Sequence, residues 1–221
     1  MKKNLKAMIQ SGKQIVGTWT DGNSNTLVEV AGMVGFDFII IDNEHGCHNS
    51  PSLVDMVRTA ESADIAPIIR VPGPFVEDDI KKALDMGASG ILVPNISTRE
   101  QAELAVRYAK FAPVGNRGCC PYLRSNDYSL KYGTVDYYAK ANEEVTLMFL
   151  VENADAVKNI DEILDVPGVD MLLFGRVDLS VSMGIPGQLT HPDMVAAIEM
   201  ISGKAKAKGL PAREIERLYV L

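Results

Sequence analysis

The chain has 221 residues, 47% hydrophobic and 23% charged, and 29 Asp+Glu against 22 Lys+Arg give it a formal net charge of −7. That balance suits an ordinary globular fold and excludes global disorder. The scattered basic residues argue against a nucleic-acid or anionic-membrane surface, although a single local Arg can still hold a small anionic substrate. No stretch is long and apolar enough to span a bilayer, and the basic start lacks the apolar segment of a signal peptide. Cys47, Cys119 and Cys120 are odd in number and two are adjacent. They make a poor disulfide framework and read as reduced thiols in a cytoplasm.

Residues 15–20, I-V-G-T-W-T, read as a first strand. Leu27, Val30, Ala31 and Val34 recur at helical spacing, and Gly35 supplies a stop. A buried strand follows over 35–42, where Phe36, Phe38, Ile39, Ile40 and Ile41 form a nearly unbroken apolar run. It ends abruptly in Asp42, Glu44 and His45. Ser50-Pro51 opens a helix with Leu53, Met56, Val57 and Ala60 inward. Residues 66–71 are a strand ending at Arg70. Val76, Ile80, Ala83 and Leu84 mark a helix stopped by Gly87, and 90–94 is the next strand. Thr98 and Gln101 form a capping box for a helix with Ala102, Ala105, Val106 and Ala109 on its inner face.

The regularity then loosens. Residues 113–136 show no clear period and read as a short strand plus a long functional loop. A helix is expected over 137–144 and a strong strand over 145–152, which ends in a carboxylate. A helix over 154–164 places Val157, Ile160 and Leu164 inward, and a strand over 169–174 runs into G-R-V-D-L-S. Thr190-His191-Pro192-Asp193 opens a last helix through Val195, Ile198 and Ile201, ended by Gly209. Strand–helix units of roughly 20–30 residues, repeated about seven times, predict an α/β fold with a parallel sheet, closed as a (β/α)8 TIM barrel. No linker divides the chain, so 1–221 reads as one domain. The eighth unit is expected to be abnormal. Leu210-Pro211-Ala212 begins like a strand, but Arg213-Glu214-Ile215-Glu216-Arg217 is charged where a barrel strand is apolar.

In a parallel barrel the strand ends meet at one face, so Asp42, Glu44, His45, Arg70, Asn95, Glu152 and Asp178 converge. Glu152 and Asp178 suit a hard divalent ion, Mg²⁺ or Mn²⁺, or else cap the helices that follow. Arg70 suits bidentate binding of a carboxylate or phosphate, or a structural bridge to Asp42 or Glu44. His45 precedes Cys47 and His48, but the ligand pairs of a zinc site are missing, which favours a general acid/base near neutral pH. Cys119 and Cys120 are expected to be buried small hydrophobes. No phosphate-loop or dinucleotide fingerprint is present. No Lys lies in an apolar strand to form a Schiff base, so carbanion chemistry would fall to a metal.

Several segments, in this order, carry a family resemblance: V-G-T-W at 16–19, G-F-D-F-I-I-I-D-N-E-H-G at 35–46 and the strand ending in Arg70. L-D-M-G-A-S-G-I-L-V-P at 84–94, P-V-G-N-R-G at 113–118, V-E-N-A-D-A-V-K-N-I at 151–160 and F-G-R-V-D-L-S-V-S-M-G at 174–184 complete it. Over about 16–209 the chain resembles the HpcH/HpaI aldolases, class II metal-dependent pyruvate aldolases that include 4-hydroxy-2-oxo-heptane-1,7-dioate aldolase.

The resemblance implies a TIM barrel of the phosphoenolpyruvate/pyruvate type. It also implies reversible cleavage of a 4-hydroxy-2-oxo acid to pyruvate and an aldehyde through a metal-stabilised pyruvate enolate. Glu152 and Asp178 would hold the metal, Mg²⁺, Mn²⁺ or Co²⁺, with water completing its shell. Arg70 would contact the keto-acid oxygens. His45 would be the acid/base, working through water and supported by Asp42 and Asp85. Backbone N–H groups around Gly175, Arg176, Val177 and Asp178 would hold the substrate carboxylate, and Trp19 would line the pocket. Glu44 would stand behind the metal's ligands or contact the metal through water. The partners implied are small 2-oxo acids, aldehydes and copies of the same chain, which form hexamers in relatives. Two alternatives stay open: an oxaloacetate decarboxylase-type lyase, and a catalytically impaired barrel that serves as a binding or assembly subunit.

The chain also departs from the family. Leu150 stands where relatives often carry Gln, and Arg176-Val177 interrupts the usual G-P-x-D-L-S. Relatives continue into an apolar eighth strand and a helix that swaps between subunits, whereas this chain ends P-A-R-E-I-E-R-L-Y-V-L; either the terminus is truncated or frameshifted, or the eighth strand is replaced, so barrel closure and the hexamer are both in question.

Overall fold

The structure, a computed structural model, describes residues 3–213. Seven parallel strands form one curled sheet in chain order: β1 Gly17–Thr20, β2 Phe38–Asp42, β3 Ala66–Arg70, β4 Gly90–Val93, β5 Thr146–Val151, β6 Met171–Phe174 and β7 Ala212–Arg213. Each strand pairs only with its sequence neighbours, and the crossovers are helical, as in a (β/α)8 barrel. The helices are α1 Leu5–Gln10, α2 Asn25–Met33, α3 Ser50–Ser62, α4 Glu77–Asp85, α5 Arg99–Ala109, α6 Tyr137–Glu144, α7 Ala154–Lys158, α8 Ile160–Leu164, α9 Arg176–Ser182 and α10 Pro192–Ala207.

Side chains alternate across a strand, so the sheet makes two cores. Ile39, Ile41, Ile69, Ile91, Leu147 and Phe149 pack with the helices. Phe38, Ile40, Ile68, Leu92, Met148 and Leu150 face the interior with Trp19, and Leu5 of α1 joins them. Burial on both faces is why the strands read as continuous apolar runs. The interior is tight. Gly17 lies under the Phe38 ring, and a Cβ there would sit 2.1 Å from Phe38 Cζ.

Local signals hold where backbone chemistry is local. Asn49 and Ser52 cap α3 reciprocally, and Thr98 and Gln101 do the same for α5. Such caps satisfy otherwise orphaned N–H groups and contribute about 1 kcal/mol each.

Several expectations are corrected. On α2 the buried residues are Val28 and Ala31, whereas Val30 and Val34 are exposed; apolar residues occupy two faces of this helix and only one meets the sheet. The 154–164 helix breaks at Asn159 into α7 and α8, where the Asn159 side chain donates to the Ser97 carbonyl at 2.9 Å. Ala156, Ile160 and Ile163 are then its buried residues, with Val157 and Leu164 half-buried. Met194, not Val195, is the buried residue at the start of α10.

The 113–136 region contains no strand. It is ordered around Asn126, which is fully buried, donates to the Pro121 and Gly133 carbonyls and accepts from the Tyr132 N–H. The segment at Ala212, expected to open the eighth unit, is therefore the seventh strand, and the charged stretch 214–217 expected to make that unit abnormal lies outside the described residues. All three cysteines are exposed, because they sit in loops and not on inward faces.

Candidate active site

The inward parity of each strand continues past its apolar residues into the functional ones. Asp42 follows Phe38 and Ile40, Arg70 follows Ala66 and Ile68, and Glu152 follows Met148 and Leu150. Asp42 and Arg70 are also register partners across β2 and β3. All three are buried at the carboxyl edge of the sheet, with exposures of 1%, 1% and 4%.

Arg70 is held from three sides. Its Nε donates to Asp42 Oδ1 at 2.9 Å, and its Nη2 pairs with Asp42 Oδ2. Its Nη1 lies 2.7 Å from Glu44 Oε2, and the guanidinium stacks 4.8 Å from the centre of the Trp19 ring. Trp19 Nε1 donates to Asp42 Oδ2 at 3.3 Å. The structural bridge read as an alternative role for Arg70 is thus present. A guanidinium has five N–H donors, so donors remain for an oxyanion in front of it.

Burial pushes the Asp42 carboxyl up, but the hydrogen bonds and charge of Arg70 and the N–H groups of His45 and Glu44 outweigh it and hold the group below the usual carboxylate range. Both Asp42 oxygens are therefore engaged. Asp42 meets His45 through the His45 backbone N–H, which donates to Asp42 Oδ1 at 3.1 Å. His45 itself is exposed at the rim.

Glu152 is the unusual group. Burial, reinforced by Glu44 and Asp178, pushes its carboxyl up to about 7, against the opposing effects of the Asn95 N–H and Arg70. Asn95 donates its backbone N–H to Glu152 Oε1 at 2.7 Å and its side-chain amide to Glu44 Oε1 at 3.4 Å. Asn95 has φ 58, a left-handed conformation that Asn tolerates better than most residues. In the sequence Asn95 stands only as a strand end with no assigned role, and the V-P-N segment closing β4 is the signal that marks it. Helix capping belongs to Asn153, whose side chain accepts from the Ala156 N–H, and not to Glu152.

Asp178 lies exposed in the first turn of α9, whose N-cap is Gly175 and which has no side-chain cap. Burial also raises the Glu44 carboxyl, with Asp178 among the contributors. Gly175 donates its own N–H to the Val151 carbonyl, so the open first-turn donors are those of Arg176, Val177 and Asp178. The Arg176 side chain reaches the Leu189 carbonyl at 3.5 Å.

Asp85 is not brought to this cluster. It ends α4 and pairs with Arg117 Nη2 at 2.6 Å, because a helix antiparallel to the strands carries its last residue to the opposite edge of the sheet.

A curled parallel sheet with an arginine, buried carboxylates and an exposed imidazole at its carboxyl edge has the architecture of an α/β-barrel enzyme. The chain belongs to the HpcH/HpaI aldolase/citrate lyase family, whose profile matches residues 15–216. It is similar to 5-keto-4-deoxy-D-glucarate aldolase of Escherichia coli (strain K12), with 33% identity over 211 residues, 94% of this chain and 80% of that enzyme. The crystal structure of citrate synthase SbnG superposes with a TM-score of 0.88 at 32% identity and covers 99% of this chain and 84% of that one. A family protein from Burkholderia cenocepacia J2315 gives 0.89 at 30% identity, over 96% and 84%. The protein is an enzyme of the aldolase and lyase class, in a family that depends on divalent metal.

Proposed function

We propose that the protein, as a single catalytic domain, is a carbon–carbon lyase that reversibly cleaves a 4-hydroxy-2-oxo acid to pyruvate and an aldehyde. The observation that carries this reading is Glu152. It is a buried carboxyl raised to about 7, with Asp178 and Glu44 contributing, at the edge of an enzyme sheet. Such a group is short of a cation. Among the described residues no set of three or more His, Cys, Asp or Glu is arranged to hold a metal. Glu152 and Asp178, which the family resemblance assigns to the metal and which act on each other electrostatically, would hold a divalent ion as a pair, and their oxygen donors suit Mg²⁺, Mn²⁺ or Co²⁺. When bound, the ion supplies Lewis-acid stabilisation of negative charge on the 2-oxo oxygen, worth several kcal/mol.

The chain's own residues do the rest. Arg70, fixed by Asp42, Glu44 and the Trp19 ring, presents its remaining N–H donors to the substrate oxygens without reorganising. The uncapped N–H groups of Arg176, Val177 and Asp178 receive the substrate carboxylate. The His45 imidazole moves the proton between solvent and the substrate, a role that suits a ring exposed at the rim. The named activities of relatives differ, aldolase in one and citrate synthase in another, so the partner aldehyde is read from assays across 2-oxo acids and aldehydes.

The deciding experiment is deuterium exchange into the methyl group of pyruvate. Exchange is expected with Mg²⁺, Mn²⁺ or Co²⁺ and should vanish in Glu152→Ala. Exchange that persists after chelation overturns the proposal.

We also propose a homo-oligomer in the cytoplasm. Exposed thiols, and the exposed Val30 and Met33 of α2 with Val34 just beyond it, support this reading. Light scattering of the purified chain tests the assembly.

A further inference from the structure

The amino-terminal edge of the sheet holds a cavity. It encloses about 70 Å³ and is lined by residues 87–89 just ahead of β4, Val145 just ahead of β5, the start of α1 and the end of α6. Strand starts and strand ends are opposite edges, so this cavity lies across the sheet from Arg70 and Glu152.

Its lining is unbalanced in charge. Lys3, Arg117 and Lys131 face it with a single carboxylate, Glu144. Lys3 pairs with Asp37 at 3.2 Å, Arg117 with Asp85 at 2.6 Å and Lys131 with Glu144 at 2.7 Å. Asp37 and Asp85 are not among the lining residues, so both of those cations are neutralised from behind. The Arg117 side chain is 1% exposed, and its Nε is buried with no hydrogen-bond partner among the described residues. A buried guanidinium N–H left unpaired is costly, and an anion would complete it. Ser125 and Tyr137 add hydroxyl groups, already joined by a hydrogen bond of 2.8 Å.

The segment P-V-G-N-R-G at 113–118, which the catalytic edge does not use, builds this place. The Arg117 N–H donates to the Lys110 carbonyl at 2.9 Å. Gly115 packs so closely on the Lys110 and Arg107 carbonyls that a Cβ would lie 2.3 and 2.5 Å from them. The guanidinium rests 4.6 Å from the centre of the Phe111 ring.

We propose that this cavity is a binding site for a small tetrahedral oxyanion of the size of sulfate or phosphate, held by Arg117 and Lys131 with the hydroxyl groups of Ser125 and Tyr137. Its volume admits several waters, which is the space one such ion needs.

A buried lysine lies beside the cavity, next to the lining residue Val145. Lys110 is 2% exposed and donates to the Asn142 and Val145 carbonyls at 3.0 and 2.8 Å. Burial first, then Lys6 of α1 and more weakly Arg117, push its amine down to about 7, against the opposing charge of Asp170. An anion in the cavity favours the charged amine, so its binding should tighten as pH falls through that range.

Isothermal titration of sulfate into the metal-loaded full chain tests the proposal, since sulfate itself does not titrate near neutral pH. Saturable binding is expected, tighter at pH ~6 than at pH ~8, and a Lys110→Met variant should lose most of that difference. Lys131→Gln and Arg117→Lys should each weaken it about tenfold or more, whereas Arg70→Lys should leave it unchanged. Lys131 is partly exposed, so its variant serves even if the Arg117 variant misfolds. Phosphate should displace sulfate, and citrate, too large for the cavity, should not. No saturable sulfate binding, or binding lost in Arg70→Lys and kept in Lys131→Gln, overturns the proposal. So does displacement by citrate.

Discussion

Gly175→Ala isolates the placement of Glu152. Gly175 has φ −89, which any L-residue adopts, so alanine brings no backbone strain. It does bring a Cβ, 2.8 Å from Glu152 Cβ, 2.9 Å from Glu152 Oε2 and 3.5 Å from Leu150 Cδ2. Ordinary carbon contacts lie near ~3.5–4.0 Å, so Glu152 must move. It has little room, being 4% exposed and tied to the Asn95 N–H at 2.7 Å. Overpacking of this kind costs about 1–3 kcal/mol. For a chain of this length that lowers Tm by roughly 2–10 °C.

The larger effect should fall on the metal. A misplaced ligand is expected to weaken Mn²⁺ binding about 10–100-fold, with pyruvate exchange falling in step and far-UV circular dichroism unchanged. Gly203→Ala in α10 is the control. A Cβ there meets nothing within 4 Å, so metal affinity should hold and stability should rise by a few tenths to about 1 kcal/mol. A Gly175→Ala protein that binds Mn²⁺ as tightly as the parent refutes the assignment of Glu152 as a ligand.

Asp42→Asn leaves the Arg70 guanidinium buried without its bidentate partner and should cost about 3–5 kcal/mol in urea unfolding; a loss under ~1 kcal/mol would show that Glu44 and Trp19 suffice. His45→Asn changes an exposed ring, so Tm should stay constant while methyl exchange falls about 10²–10⁴-fold; a smaller drop removes His45 from proton transfer. Lys110 titrates near 7 in the folded chain but at about 10.4 once unfolded. Between those values the unfolded chain holds a proton that the native one has released, so this group makes stability rise with pH, by at most about 1.4 kcal/mol per unit. Urea midpoints from pH ~7 to ~9.5 should show that slope, and Lys110→Met should flatten it.

What the sequence made legible, and what it did not, follows from the range of the interactions involved. The boundaries of α3 and α5 are written in caps made by neighbours three residues apart. The strands are written in apolar runs that any buried parallel sheet requires. By contrast, which face of α2 turns inward is decided by α3 and the sheet. The break at Asn159 is decided by Ser97, far away in sequence. The 113–136 loop lacks any period because it is organised by one buried side chain, Asn126, bonded to backbone on both sides of it. The burial of Lys110 is not legible in the sequence for a related reason. It sits at the end of a helix, where lysines are usually solvated, and only the Asn142 and Val145 carbonyls, more than thirty residues on, enclose it.

The site was legible for a different reason, one that ties it to the fold. Asp42, Arg70 and Glu152 each occupy the next inward position after the interior residues of their strands. Side-chain direction in a strand has a period of two, so a one-residue slip in β2 or β3 would turn Asp42 or Arg70 into the helix layer and Ile41 or Ile69 into the site. The apolar stripe that sets the register therefore also aims the charged groups. A site of this kind is read by continuing the inward parity beyond the last apolar residue. That rule finds Asp42, Arg70 and Glu152 without a motif. It cannot find Asn95 or Asp178, which lie where the chain has left the strand and a left-handed turn or a helix start sets the direction. Nor does it assign Asp85, which no strand carries and which the fold delivers to Arg117 at the opposite edge.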